Sequence, residues 1–321
     1  MRLIFSVICF LPLTVLPAAN AGMTEEQSEV VDAVVRHLAE DYVDAEVGQQ
    51  AAAGLQSLAR SGELDGLPEG EPFAQRLSAA LQSLTSDGHL NVEYSDAPID
   101  PEPEPDASWS AAQMERWYGA HINFGVQAVE RLNGNVGYLD LRVFAPLDMG
   151  GETLVAAMNV LANMNALVID LRRNGGGMGD AADLVASYLF EAERQPLTGV
   201  YDRPSDTLTQ RFTQPFVPGK RFGGKKPVYV LISEKTFSAA EALAYNLQAL
   251  ERAVIVGETS GGGAHPFDYL PVTDHYVLWS VTARSVNPVT GGNWQGVGVT
   301  PDIEVVADSA LEAALTHLEA Q

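Results

Sequence analysis

The sequence predicts an α/β protein in which a helical N-terminal cap precedes a larger unit of alternating strands and helices. Three observations carry that expectation. Residues 24–84 repeat apolar side chains at helical spacing, and a Pro- and acid-rich stretch (DAPIDPEPEPDAS, 96–108) then breaks the pattern. Beyond it, short apolar runs of strand length alternate with amphipathic helical stretches, as expected of a sheet covered by helices.

In the cap, Val30, Val31, Val34, Val35 and Leu38 share a helical face, a second helical set covers residues 51–58, and a third spans 73–84 with Leu77, Ala80, Leu81 and Leu84 apolar. The third stops at Ser86-Asp87-Gly88, a helix-ending turn. The Pro-rich stretch has little apolar surface to bury and reads as an extended linker. After it, residues 136–143 (VGYLDLRV), 166–171 (ALVIDL), 227–232 (PVYVLI) and 253–256 read as strands, and 150–164, 180–190 and 238–250 as helices. Residues 267–271 and 276–282 read as a hairpin. The expected divisions are 1–21 signal peptide, 22–95 cap, 96–120 linker, 121–310 α/β domain and 311–321 the end of a C-terminal helix.

Composition narrows the function. With 46% hydrophobic and 19% charged residues, the 321-residue chain is globular in character. Its 42 acidic residues against 19 basic give a net charge of −23, which repels nucleic acid and anionic membrane. Arg2, an apolar run over 3–16, Pro17 and Ala19-Asn20-Ala21 form a secretory signal with cleavage expected after Ala21, so the product is secreted or periplasmic. The single cysteine, Cys9, lies in that segment. The mature chain therefore has no thiol for a disulfide, a thiolate metal cage or an iron–sulfur cluster. The histidines lack HExxH spacing; no metal and no cofactor are expected, and no membrane contact beyond the signal peptide.

Two segments carry candidate chemistry. In PVYVLISEKTFSAAEALAY, Ser238 stands where a buried strand turns into an Ala-rich helix. First-turn N–H groups lack intrahelical acceptors and can hold an oxyanion, while the helix dipole favours a developing alkoxide. Taken alone, a serine there is more often an ordinary helix cap than a nucleophile. In Leu171-Arg172-Arg173-Asn174-Gly175-Gly176-Gly177, the glycines free the backbone to turn N–H groups toward a bound group. A tight connection accounts for the loop equally well, and no P-loop Lys-Ser/Thr follows it.

Together and in order, DLRRNGGG (170–177), TFSAAEALAY (236–245), GETSGGGAHP (257–266) and GVGVTPDI (296–303) resemble the carboxyl-terminal processing (tail-specific) serine peptidase family. The resemblance covers residues 136–306, with weaker support from the cap and from SDGHL at 86–90. The branch that looks most similar contains the repeats of interphotoreceptor retinoid-binding protein and the core of tricorn protease. It implies a crotonase-like (ClpP/crotonase-type) α/β core with a mixed sheet, and a peptide or protein substrate. Ser238 would be the nucleophile, with an oxyanion hole from the backbone N–H groups of Ala239 and Gly176. The lysine that serves tail-specific members as base falls on Gly263. Lys235 is a poor substitute, because a turn lysine is ordinarily solvated. The tricorn-like branch takes its histidine from the position of His89, which makes His89 the expected base, with His265 the alternative.

An acidic residue that would orient the histidine falls on Gln295, a neutral amide that can hold an imidazole but adds no charge. The gap between cap and core is also too short for the PDZ domain usual in tail-specific members. Two other functions fit the resemblance: an acyl hydrolase using the same machinery, and a non-catalytic carrier of a hydrophobic ligand or peptide. In the carrier, Trp109, Trp117, Tyr118 and Phe124 could line the cleft.

Overall fold

A computed structural model describes residues 22–99 and 111–321. The expected signal peptide and most of the Pro-rich linker, including Trp109, lie outside the described residues. The fold is mixed α/β. Helices α1 (Glu25–Glu40), α2 (Ala45–Ser61) and α3 (Glu71–Thr85) come first. Thr24 and Gln27 cap α1 reciprocally, the Asp44 carboxylate caps α2 from its N-terminus, and Gly62 ends α2 in the left-handed conformation.

These helices do not close a core by themselves. Strand β1 (Asn91–Tyr94) pairs antiparallel with β10 (Tyr276–Ser280), which pairs with β9 (Asp268–Pro271). Tyr276, Leu278 and Val281 then pack among Val34, Leu38, Leu55, Phe73 and Leu77. The hairpin grouped by sequence with the α/β segment thus supplies the sheet under the cap. His37, charge-flanked and helical in sequence, is buried for the same reason, its Nε2 lying 3.5 Å from Ser280 Oγ.

The larger unit is built on a six-stranded sheet in the order β12-β8-β7-β4-β3-β2. Strands β3 (Val136–Leu141), β4 (Ala166–Asp170), β7 (Val228–Ile232), β8 (Val254–Gly257) and β12 (Ile303–Glu304) run parallel, and β2 (Val126–Leu132) is antiparallel to β3. The sheet is therefore mixed. Alternation along the strands sends Leu139, Leu167, Ile169, Val230 and Ile232 toward α5 (Leu147–Leu161), α6 (Gly179–Tyr188) and α7 (Ala239–Ala249). Tyr138, Val168, Tyr229 and Leu231 face α8 (Ala310–Glu319) on the other side. Burial on both faces explains why these strands read as continuous apolar runs. A third sheet, β11 (Ala283–Val286), β5 (Pro196–Asp202) and β6 (Thr207–Phe212), has no counterpart in the sequence expectations. Its strands mix polar and apolar residues because only part of each is covered.

Candidate functional site

The carboxyl ends of β4 and β7 lie side by side, and the loops that leave them are stitched together. Thr236 Oγ1 donates to Leu171 O, Ser233 Oγ to Arg172 O, and Phe237 N–H to Asn174 O. This clamp holds Ser238 at φ 55°, ψ −120°, a conformation a non-glycine residue adopts only when its surroundings impose it. Ser238 N–H donates to Glu241 Oε2 at 2.8 Å. The buried Glu241 carboxylate also takes Ser260 Oγ and the N–H groups of Gly262 and Gly263, tying the serine turn to the second glycine loop. Burial raises the Glu241 pKa, and these four donors work against that rise.

Gly176 sits against the serine. It has φ +108°, and a Cβ there would stand 2.7 Å from Ser238 Cβ, so only glycine permits the approach. Its N–H departs from expectation: it donates to Asn174 Oδ1 at 2.8 Å instead of facing an open site. The reason is local, since the wholly buried Asn174 carboxamide must find partners for both its ends, and its Nδ2 donates to Leu141 O. Ala239 N–H, at the first position of α7, has no intrahelical acceptor.

The histidine comes from the other unit. His89 follows the turn that ends α3, is 4% exposed, and brings Nε2 to 3.0 Å from Ser238 Oγ. Phe237 and Phe267 flank its ring, with centroids at 4.7 and 5.5 Å. Burial lowers its pKa to about 4; the Asp87 charge opposes the drop and His265 adds to it. Near neutral pH the ring is therefore uncharged. A neutral imidazole with an accepting Nε2 beside a hydroxyl can take the hydroxyl proton. The same ring explains Gly263: a Cβ at that position would lie 2.7 Å from His89 Cε1 and 2.2 Å from Phe237 Cζ. No side chain at 263 can share this space with His89.

The remaining expected residues are not on the Ser238 hydroxyl. His265 directs Nδ1 to Asp87 Oδ2 at 2.7 Å, and Lys235 is exposed. Gln295, expected to orient the imidazole, uses its carboxamide elsewhere: Oε1 accepts from Ala264 N–H at 2.7 Å and Nε2 reaches Ser86 O at 3.4 Å. It braces two loops, a task that suits an amide because one end accepts and the other donates. Asp87, which the sequence reading passed over, has no exposure and lies beside both histidines. The D-x-H spacing of Asp87 and His89 was the available signal.

Ser238 and His89 open onto a cleft of about 940 Å³. Phe267, Tyr269 and Trp279 line the cap side, Met178 and Ala242 the core side, and Trp117 and Tyr118 of α4 (Ala111–Tyr118) the rim. Phe124 packs over Gly150 and is not among the lining residues. The cleft lining also holds an Asp183–Arg211 pair at 2.8 Å, where burial pushes the Asp183 carboxyl up to about 7 against the pull of Arg211. Among the described residues no group of three or more His, Cys, Asp or Glu side chains is arranged to hold a metal ion. No helix among them is long and apolar enough to cross a membrane.

Comparison with known proteins gives this geometry a family. The model for peptidase family S41 matches residues 135–305, over half of the chain. The chain belongs to peptidase family S41. Residues 21–124 match the N-terminal domain found with S41 peptidases in eukaryotic interphotoreceptor retinoid-binding protein, so the cap and its histidine turn fall within a recognised partner domain of the S41 core. A carboxy-terminal-processing protease of Bartonella bacilliformis is 32% identical over 195 residues, which cover 56% of this chain and 41% of that protein. The match thus spans less than half the length of that relative. Among solved structures, a peptidase from Parabacteroides merdae described as putative superposes with a TM-score of 0.60 at 20% identity, covering 91% of this chain and 96% of that one. Tricorn protease superposes at 0.50 with 13% identity, covering 91% of this chain and 35% of that one. At these identities the structures share the S41 fold with this chain, and the chemistry has to be argued from its own residues.

Proposed function

We propose that this chain is an exported serine-type S41 peptidase in which Ser238 is the nucleophile and His89 the general base. The observation that carries the reading is the 3.0 Å approach of His89 Nε2 to Ser238 Oγ, between a backbone-clamped serine and a ring held neutral by burial. Ser238 Oγ attacks a substrate carbonyl and its proton passes to Nε2. The tetrahedral oxyanion is received by Ala239 N–H at the mouth of α7, while Gly176, lacking a Cβ, leaves room for the approach. The imidazolium returns its proton to the departing amine, and water then hydrolyses the acyl-enzyme by the same route in reverse. The substrate is a peptide or unfolded protein segment lying along the cleft. No PDZ domain is needed in this scheme, and export follows from the Arg2-to-Ala21 signal.

The aromatic wall of Phe267, Tyr269 and Trp279 also supports a carrier of an apolar ligand, and an ester in place of a peptide would use the same hydroxyl. One experiment separates the three. The mature chain and its Ser238→Ala variant are incubated with an unfolded protein and with simple aryl esters, the products are read by mass spectrometry, and both proteins are titrated with a fluorescent apolar probe. Peptide-bond cleavage by wild type alone supports the peptidase. Cleavage of esters alone points to the acyl hydrolase. Apolar ligand binding by both proteins, with no cleavage by either, favours the carrier.

A further inference from the structure

The site as built leaves one group unexplained. For Nε2 to accept the Ser238 proton, the single proton of neutral His89 must sit on Nδ1. That Nδ1 is buried and without a hydrogen-bond partner, and Asp87 Oδ1 stands 3.9 Å away. The other oxygen, Oδ2, takes two donors, His265 Nδ1 at 2.7 Å and Tyr42 Oη at 2.9 Å. Oδ1 itself takes the backbone N–H of His89 at 3.0 Å, so the carboxylate is already fixed relative to the histidine's main chain.

We propose that Asp87 is the positioning carboxylate of His89, held for that task by His265 and Tyr42. The proposal rests on the Ser238–His89 reading above and concerns what serves the histidine, in place of the acid that Gln295 lacks. An approach of about 1 Å by Oδ1 would give Nδ1–H its acceptor within ordinary hydrogen-bond range. When the serine proton reaches Nε2, the resulting cation faces the Asp87 carboxylate, which acts through charge and orientation and takes up no proton. Asp87 is ionised for this: burial pulls its pKa up, but the hydrogen bond and charge of His265, then the backbone N–H and charge of His89, bring it below the ordinary value.

Each neighbour has a part. Tyr42 comes from the turn between α1 and α2, His265 from the loop after β8, and Thr85 Oγ1 accepts from Asp87 N–H. Gln295 joins Ser86, beside Asp87, to Ala264, beside His265, so it sets the spacing of the carboxylate and the second histidine. A glutamate at 295 would keep an acceptor for Ala264 N–H but lose the donor to Ser86 O.

The test compares the labelling rate of Ser238 by a fluorophosphonate in wild type, Asp87→Asn, His265→Asn and Gln295→Glu, with the pH profile of each. Asp87→Asn is expected to slow labelling by about 100-fold or more, as removal of the charged orienter does in serine triads. It should also move the acid half-point of the residual rate lower, because the Asp87 charge raises the His89 pKa. His265→Asn should slow labelling by about 10-fold, acting only through Asp87, and Gln295→Glu should slow it by up to about 10-fold, because Ser86 is no longer tied to Ala264. Asp87→Asn within about 3-fold of wild type, or a gain of about 10-fold in Gln295→Glu, overturns the proposal. Proton NMR gives a second reading that needs no substrate and no labelling. The expected signal is a deshielded imidazole N–H that disappears in His89→Gln, persists in His265→Gln and correlates with Nδ1. A proton found on Nε2 instead overturns the assignment. If wild type does not label at all, the nucleophile reading fails, and the NMR result still decides whether Asp87 serves His89.

Discussion

The two walls of the cleft hold their key side chains by different means. On the core wall Ser238 is fixed through the backbone. Its φ of 55° is enforced by the Phe237–Asn174 hydrogen bond and the Glu241 carboxylate, and Gly176 closes against its Cβ. On the cap wall His89 is fixed through its side chain, with one ring between two phenylalanines, one nitrogen on Ser238 and the other unpartnered. The difference teaches that the serine geometry belongs to the S41 sheet and its loops. The partner of the serine depends instead on how the helical cap docks.

Gly263→Ala should break that partnership by crowding the ring, on a scale comparable with the loss of the Asp87 charge. The added methyl would meet the His89 ring and Phe237, and a displacement of about 1 Å at a reacting group can cost on the order of 100-fold. Labelling of Ser238 should collapse while circular dichroism still reports a folded chain; unchanged labelling would mean that the ring does not need this space.

Leu77→Ala attacks the cap core itself. The residue is wholly buried in the apolar cluster that joins the cap helices to Tyr276 and Leu278, and its truncation should cost about 2–5 kcal/mol in the denaturant unfolding of the cap. The six-stranded sheet has its own apolar cluster and should unfold later, so two transitions are expected; a single coincident transition would show that the walls are not separable.

The histidine also predicts a pH dependence. Its folded pKa, about 4, lies below the ordinary value of 6.5. The stability contribution of the neutral ring is therefore complete above pH 6.5 and is lost as pH falls through about 4. The Ser238 labelling rate should fall to half near pH 4; a half-point near 6.5 would place the base in a far wetter setting than this one.

Arg203→Ala should have the smallest effect. Arg203 Nη1 donates to Tyr42 O, joining the loop after β5 to the cap. Its loss should cost about 1 kcal/mol of docking and lower labelling a few-fold, without changing the unfolding of the core.

These contrasts also mark what was legible in the sequence. The α/β pattern and the helical cap could be read because each is encoded locally, by periodicity; Ser238 and its glycine loop stood out locally as a strand–turn–helix succession, but only the ordered family motifs pointed to chemistry there. His89 could be named only through a family resemblance, since 149 residues separate it from the serine it meets. Asp87 was hidden for a related reason: His265, the donor that marks it as important, lies 178 residues away. Gln295 looked like an orienter by position, but its amide bonds two backbone groups, Ala264 N–H and Ser86 O, whose placement sequence cannot give. The burial of His37 is not legible from its charge-flanked helical context, because the strand that covers it arrives some 240 residues later.

The most direct test of the central claim, that the cap delivers the base for the S41 core serine, is fluorophosphonate labelling with peptide mapping. Wild type, His89→Ala and His265→Ala would be run side by side at neutral pH. The account predicts modification at Ser238, slowed by about 1,000-fold or more in His89→Ala and far less in His265→Ala. Labelling of Ser238 that survives His89→Ala at the wild-type rate would contradict it.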